Sequence, residues 1–314
     1  MFLKKLFIYS LLCLGLSAAD IKYGVISDNG GKPFMQDRYR VNINKSQIFF
    51  GVFDGHGSNE DGHMVAELVS SRIYRNIVKD NIYFKANKIL QAIVLGFQKT
   101  NDELPDYQEI KKNGSTGSVV LIKNNRLYYG YVGDSKIVVA SKNSYSESID
   151  HKMIGNGDSF SDEYHRIKAL AIKNEIDYSY FIKESRSKEN FFRLTVPWSS
   201  KRLAMTRSFG DKELHPYLIS EPDVHSIFIN DAEFVIIASD GLWDVVSASE
   251  AINIVERENI HVHKINCKIA AVKLVKLALQ RWQAHSSKAD NITVMVIDLK
   301  QFHKNKVKDL ISNE

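Results

Sequence analysis

The sequence predicts a mixed α and β protein, with sheets packed face to face and covered by helices in one domain of roughly 280 residues. Three observations carry that reading. Short β-rich apolar runs lie towards both ends of the chain, helical periodicities lie between them, and the composition is that of an ordinary globular protein. Of 314 residues, 44% are hydrophobic, 25% are charged and only 5 are proline, which excludes disordered, collagen-like and low-complexity classes.

The strand-forming runs are Ile48 to Phe53, Ser118 to Ile122, Leu127 to Val132, Ile137 to Ala140, Phe234 to Ala238 and Ile292 to Ile297. Each is bounded by Gly, Asn, Asp or Ser, the residues that end strands in turns. Val65, Leu68, Val69, Ile73 and Ile77 recur at three- and four-residue steps, as do Ile89, Ile93 and Phe97, and less strictly Ile269, Val272, Leu277 and Trp282. Such stripes are expected to face a core and to carry no chemistry. The stretch from Asp158 to Ser200 is polar and aromatic without a clear period. No segment repeats itself along the chain at the 20-to-50-residue spacing of solenoids.

Residues 1–19 are set apart from the fold. Lys4 and Lys5 precede eleven mostly apolar residues, Leu6 to Leu16, followed by Ser17-Ala18-Ala19. That is the layout of a signal peptide cleaved after Ala19. As a helix the apolar run spans about 16 Å, roughly half a bilayer core, so it predicts export to a secreted or periplasmic location and no permanent membrane anchor. Cleavage removes Cys13 and leaves Cys267 without an internal disulfide partner. Residues 20–300 are then the folded domain and 301–314 a polar C-terminal tail. The formal charge of +5, from 42 basic and 37 acidic residues, is scattered rather than gathered into a stripe, so nucleic acid is not an expected partner.

Chemistry enters where apolar strands meet an acid. IFFGVF ends at Asp54-Gly55-His56-Gly57, FVIIAS ends at Asp240-Gly241, and Asp290-Asn291 stands directly before ITVMVI. An ionised carboxylate beside a core costs several kcal/mol unless it is neutralised, and no matching buried Arg or Lys pattern accompanies these three. A hard divalent cation is the economical partner, and an all-oxygen donor set selects Mg²⁺ or Mn²⁺ over zinc. Gly55, without a Cβ, lets its backbone carbonyl approach such an ion and permits a sharp turn. A single Asp-Gly pair standing alone reads as a plain β-turn; two of them after apolar strands favour the site.

The chain resembles the PP2C (PPM) family of metal-dependent serine/threonine phosphatases from about Tyr23 to Asp298. The resemblance is carried, in family order, by KPFMQDR at Lys32 to Arg38, FFGVFDGHG at Phe49 to Gly57, GSTG at Gly114 to Gly117 and YVGDSK at Tyr131 to Lys136. It continues with IDHK at Ile149 to Lys152, LAMTRSFGD at Leu203 to Asp211, EPDV at Glu221 to Val224, ASDGLWDV at Ala238 to Val245 and DNITV at Asp290 to Val294. The fold it implies is α+β, a four-layer α-β-β-α sandwich of two mainly antiparallel sheets flanked by helices.

The resemblance also implies roles. Asp54 matches an aspartate that bridges two metal ions, the Gly55 carbonyl a further ligand, Asp240 and Asp290 the aspartates that complete the pair, and Asp37 the acid beside them. The two Mg²⁺ or Mn²⁺ ions activate a shared water for direct attack on phosphorus. His56 matches the residue that protonates the departing seryl or threonyl oxygen; the plainer reading is an exposed loop histidine. Asp134 and Asp244 match positions that in some relatives hold a third ion, and each reads equally as a turn or helix-cap aspartate.

Two matched positions depart from the common pattern. Lys32 stands where Arg often grips the substrate phosphate, which keeps the charge and gives up the planar fork. Gln36 stands in the outer shell where many relatives have Glu. The segment from Ile167 to Ser200, a flap beside the active site in the family, lacks the paired glycines expected after Arg166 and is longer than expected. The expected partners are phosphorylated proteins, the substrates of a monomeric enzyme. Two readings from other classes remain open, a pseudophosphatase that keeps the fold as a binding module and a phosphatase for a small phosphometabolite.

Overall fold

A computed structural model of the chain describes residues 21–57, 61–156, 159–177, 182–186, 189–258, 265–285 and 289–302. The expected leader over 1–19, with Cys13, and residues 303–314 of the tail lie outside these described residues. Among the described residues no helix is long and apolar enough to cross a membrane.

Two five-stranded antiparallel sheets form the centre. One runs in the order Lys22–Asp28, Ile292–Asp298, Phe234–Ala238, Lys136–Ala140, Tyr145–Glu147. The other runs Asp223–Phe228, Arg126–Val132, Gly117–Lys123, Ile48–Phe53, Arg38–Ile43. The six runs legible in the sequence are the six interior strands of these sheets. All four edge strands escaped, because an edge is only half covered and its side chains mix polar and apolar without strict alternation. Tyr145–Glu147 is exposed throughout.

Alternation along each interior strand divides the apolar residues between two surfaces. Phe50, Val52, Val120, Tyr129, Ile137, Val139, Val235, Ile237, Met295 and Ile297 fill the space between the sheets. Their neighbours turn outward: Phe49, Phe53, Val119 and Leu121 meet Val65, Val69, Ile73, Ile93 and Phe97 of the helices Gly62–Tyr74 and Ile89–Asp102. On the opposite side Val138, Ile236, Val294 and Val296 meet Leu242, Ala251, Val255, Ala270, Leu274 and Ala278, carried by Asp240–Trp243, Ala248–Arg257 and Cys267–His285. The result is the four-layer α-β-β-α sandwich expected. At about 1.5–3 kcal/mol for each fully buried Val, Leu, Ile or Phe, these three apolar layers dominate the stability of the fold.

Local chemistry fixes the connections. The hairpin between Gly117–Lys123 and Arg126–Val132 turns on Asn124 and Asn125, both left-handed, at φ 50° and 57°, the pair of positive φ values that a two-residue type I′ turn requires. The helix Ala248–Arg257 opens with a reciprocal cap between Ser247 and Glu250.

The last helix meets the expectation in part: Leu277 and Trp282 pack against the core, and Ile269 does not. Ile269 is 44% exposed, and the face against the sheet is built from Ala270, Ala271, Leu274, Val275 and Ala278. Small alanines let this helix lie close on the sheet, so part of its buried side carries no large apolar residue.

The described residues of the aperiodic region belong to a subdomain. Ser161 caps a helix over Asp162–Lys173, and Ser159–Phe160, Met153–Asn156, Glu189–Val196 and Ile182–Arg186 form a sheet in that order, with Ser199–Leu203 paired to Glu189–Val196. It has its own small core, including Met153, Ile167, Ala171, Leu194, Met205 and Leu218. Glu163 fastens this helix to the chain leading back into the sandwich. Its Oε1 accepts from Arg207 Nη2 at 2.6 Å and its Oε2 from Arg166 Nη2 at 2.8 Å.

Candidate active site

Strand ends deliver the acids to one place. Asp54 follows the fully buried strand Ile48–Phe53. Thr116 holds it on both sides: the Asp54 amide donates to Thr116 Oγ1 at 3.0 Å and the Thr116 amide donates to the Asp54 carbonyl at 2.9 Å. Asp37 lies just before Arg38–Ile43 and is 3% exposed; its Oδ2 accepts from Ser239 Oγ at 2.8 Å. Asp240 opens the short helix that follows Phe234–Ala238, and Asp290 stands two residues before Ile292–Asp298.

Their charges are coupled. Burial, then repulsion from Asp37, Asp240, Asp134 and Asp290, pushes the Asp54 carboxyl well above the usual range. Burial, then Asp134, Asp244 and Asp290, does the same to Asp240. Burial raises Asp37 to about 6 against the hydrogen bond from Ser239. These are acids gathered closely enough to resist shared ionisation, the arrangement that a cation relieves. Asp54 and Asp240 lie deep among protein atoms yet keep part of their surface open to solvent, which leaves a way in.

The donor set fits a hard cation. Every acid offers oxygen, and Asp37 Oδ1 and Asp134 Oδ1 are buried without a hydrogen-bond partner, a costly state that an ion removes. Among the described residues, however, no three His, Cys, Asp or Glu side chains close into a ready-made metal cage. The acids approach from separate elements and have still to close around an ion.

The expectation that no matching buried Arg or Lys pattern accompanies these acids is corrected. Lys32 Nζ pairs with Asp290 Oδ1, and Lys152 Nζ lies 2.9 Å from Asp134 Oδ2, close enough to moderate Asp240 as well. These lysines come from loops whose partners are remote along the chain, so no local pattern shows them. Asp134 sits 4% exposed in the turn between Arg126–Val132 and Lys136–Ala140. Asp244 ends the short helix Asp240–Trp243, exposed, and adds its charge to the field at Asp240.

The loop carrying Lys32, Gln36 and Asp37 is tied down by Asn291. Its Oδ1 accepts from the Gln36 amide at 2.7 Å, and its Nδ2 donates to the carbonyls of Asn29 and Phe34 at 3.0 and 3.1 Å. The Gln36 carbonyl accepts from the Gly55 amide at 3.3 Å. A side chain at Gly55 would meet the Gly62 carbonyl oxygen at 2.3 Å and that of Gln36 at 2.8 Å, so close backbone approach requires the glycine.

His56 does not read as a free loop residue: its Nε2 lies 2.7 Å from Asp211 Oδ2, and its side chain is 17% exposed. Asp211, Thr116, Ser239 and Asn291 lie within the family motifs, but the sequence alone assigns them no contacts. Only the long-range contacts reveal them.

Comparison with known proteins identifies the family and the fold. The sequence model of the family described as Protein phosphatase 2C matches residues 26–287. The chain is 32% identical over 292 residues to "Probable protein phosphatase 2C 11" of Arabidopsis thaliana, covering 90% of this chain and 68% of that one. It is 31% identical over 283 residues to "Probable protein phosphatase 2C 45" of Oryza sativa subsp. japonica, with 88% and 86% covered. The fold is similar to that of a serine-threonine phosphatase 2C from Toxoplasma gondii, with a TM-score of 0.65 and 22% identity over 90% of this chain and 96% of that one. It is also similar to a C. elegans sex determining protein, with a TM-score of 0.67 and 17% identity over 89% and 65%. This chain belongs to the protein phosphatase 2C family.

Proposed function

We propose that the protein is a Mg²⁺- or Mn²⁺-dependent phosphatase for phosphoserine and phosphothreonine in proteins. The observation that supports this most is the convergence of Asp37, Asp54, Asp240 and Asp290, their charges in mutual conflict, in a chain of this family. Those four carboxylates and the Gly55 carbonyl are the groups that would hold two ions, with Gln36 in the outer shell and Asp134 and Asp244 available to a third. When bound, the ions supply an activated water and positive charge beside the phosphoryl oxygens. Lys32 binds those oxygens by charge once it leaves Asp290, through one ammonium rather than a two-pronged guanidinium. His56 donates a proton to the departing seryl or threonyl oxygen, so that no alkoxide has to be expelled.

The test is phosphate release from a phosphoserine peptide with Mn²⁺, with chelator, and after Asp54→Asn. Loss in the second and third cases is expected; unchanged turnover in either removes the mechanism. A small phosphometabolite at equal concentration separates the protein phosphatase from a metabolite phosphatase. Absence of Mn²⁺ uptake in calorimetry would mark a binding module. Export through residues 1–19 belongs to the same proposal: cell fractionation with N-terminal sequencing should find a mature chain starting at Asp20 outside the cytosol, and an intact chain in the cytosol would refute it.

A further inference from the structure

The two central sheets end unevenly on one side. In the first, the edge strand Tyr145–Glu147 lies over Arg126–Val132 of the second, where Ser146 hydrogen-bonds with the Tyr129 hydroxyl. Beyond Arg126–Val132 the second sheet has one more strand, Asp223–Phe228; among the described residues the first sheet has none to cover it. The inner face of that strand is accordingly open. His225 stacks on Tyr129 at 5.1 Å between ring centres yet is exposed, and Ile227 lies at the margin of the inter-sheet core, only partly buried.

Tyr145–Glu147 turns main-chain groups towards this gap. The Ser141 amide donates to the Ser144 carbonyl and the Ser148 amide to the Ile137 carbonyl, both at 2.9 Å. Alternation along an antiparallel ladder then directs the main chain of Ser144, Ser146 and Ser148 to Lys136–Ala140, and that of Tyr145 and Glu147 away from it. Such an edge is a template for another extended chain.

A cleft of about 380 Å³ adjoins the edge, with Arg126, Tyr145, Ser146, Ile227, Phe228 and Asp231 in its walls. Phe228 is 56% exposed. Arg126 holds its guanidinium 4.3 Å from the centre of the Phe228 ring and donates from Nη2 to Ser226 Oγ at 2.9 Å. Among the described residues it forms no ion pair, so its charge is available to an incoming acid. Open main-chain groups, exposed apolar surface and a guanidinium in one place are the parts of a strand-addition site.

We propose that an extended segment of a protein substrate docks here as an added strand beside Tyr145–Glu147. It sets an apolar side chain against Ile227 and Phe228, an acidic one against Arg126 and a basic one against Asp231. The proposal rests on the protein phosphatase reading above and adds how such a substrate is held. Arg126–Val132 runs from the cleft to the turn that carries Asp134, and its seven residues at about 3.3 Å each put the cleft roughly 20 Å from the acids. The docking segment therefore lies at least about six residues from the phosphorylated side chain.

Three peptides test this on the full chain with Mg²⁺. The first is a short phosphoserine peptide. The second joins it, through about sixteen Gly and Ser residues that span roughly 20 Å, to the segment Glu-Val-Phe-Val-Lys. The third carries Glu-Pro-Phe-Pro-Lys instead, which keeps the ring and charges but lacks two main-chain donors. The second should show a KM roughly tenfold below the other two at equal kcat, because docking is alike in ground and transition states. Arg126→Ala should abolish that advantage. So should Tyr145→Pro, which removes only an outward-facing amide from the edge main chain. Both variants should leave KM and kcat for the short peptide within about twofold. Amide NMR of the full chain, titrated with Glu-Val-Phe-Val-Lys alone, should move Tyr145, Glu147 and Ile227. Equal KM values for the three peptides, or no movement of these amides, would overturn the proposal. Self-association of the chain that Tyr145→Pro abolishes would give the edge to a second copy and overturn it as well. If none of the peptides is hydrolysed, the phosphatase reading fails, and the titration still judges the docking site by itself.

Discussion

Lys152 Nζ lies 2.9 Å from Asp134 Oδ2 and 3.6 Å from Asp150 Oδ2, so a protein cation partly neutralises the acids at the edge of the site. Asp134 is 4% exposed and its other oxygen has no partner. Removing one member of a buried pair strands the charge it leaves behind. Lys152→Met is therefore expected to cost about 3 kcal/mol in urea unfolding, with part of the loss recovered by millimolar Mn²⁺. An unchanged midpoint without metal would show that the pair contributes nothing.

Lys32 pairs with Asp290, one of the proposed ion ligands, and is also the proposed grip on phosphate. Lys32→Met should raise KM for a phosphopeptide roughly tenfold, about 1.4 kcal/mol, while tightening Mn²⁺ binding measured by calorimetry because a competing cation is gone. Lys32→Arg should lower KM by restoring two-pronged contact. Opposite movements of KM would place the phosphate elsewhere.

The pH dependence of stability has a definite sign. Asp37 is raised to about 6 by burial, against about 3.9 in an unfolded chain. The folded state then holds more protons across that window, and stability falls as pH rises from about 4 to about 6. Tm in chelator should drop by roughly 5 °C over this range. With saturating Mn²⁺, which requires the ionised acids, Tm should instead rise. A flat Tm in chelator contradicts the coupling of charges described here.

Glu163 works in the other direction. Its ionised form is held by Arg207, Arg166 and Thr206, which outweigh burial and lower the carboxyl to about 2. Its contribution is complete above the unfolded value near 4.5 and is lost as pH falls towards 2. Glu163→Gln should cost about 3 kcal/mol at neutral pH, a difference that disappears in urea titrations near pH 2. A gap that persists in acid would mean that packing, and not charge, fastens the subdomain.

What the sequence discloses depends on how local the determinant is. Ile48 to Phe53 and Phe234 to Ala238 are legible because an interior strand is apolar on both faces, and Asp54 and Asp240 stand out because each interrupts such a run. Lys22–Asp28 and Arg38–Ile43 lack that signal, being edges. The role of Asp211 is not legible because its partner His56 is 155 positions away, nor is the pairing of Lys32 with Asp290, 258 positions away. The helix over Cys267–His285 is legible only in part for a different reason: close packing selects alanine on much of its buried face.

The most direct measurement is anomalous diffraction at the manganese edge from crystals grown in abundant Mn²⁺. Two peaks among Asp37, Asp54, Asp240 and Asp290, absent after Asp54→Asn, are the predicted result. No peak there, or peaks only at surface acids, would contradict the assignment of these carboxylates to a shared metal centre.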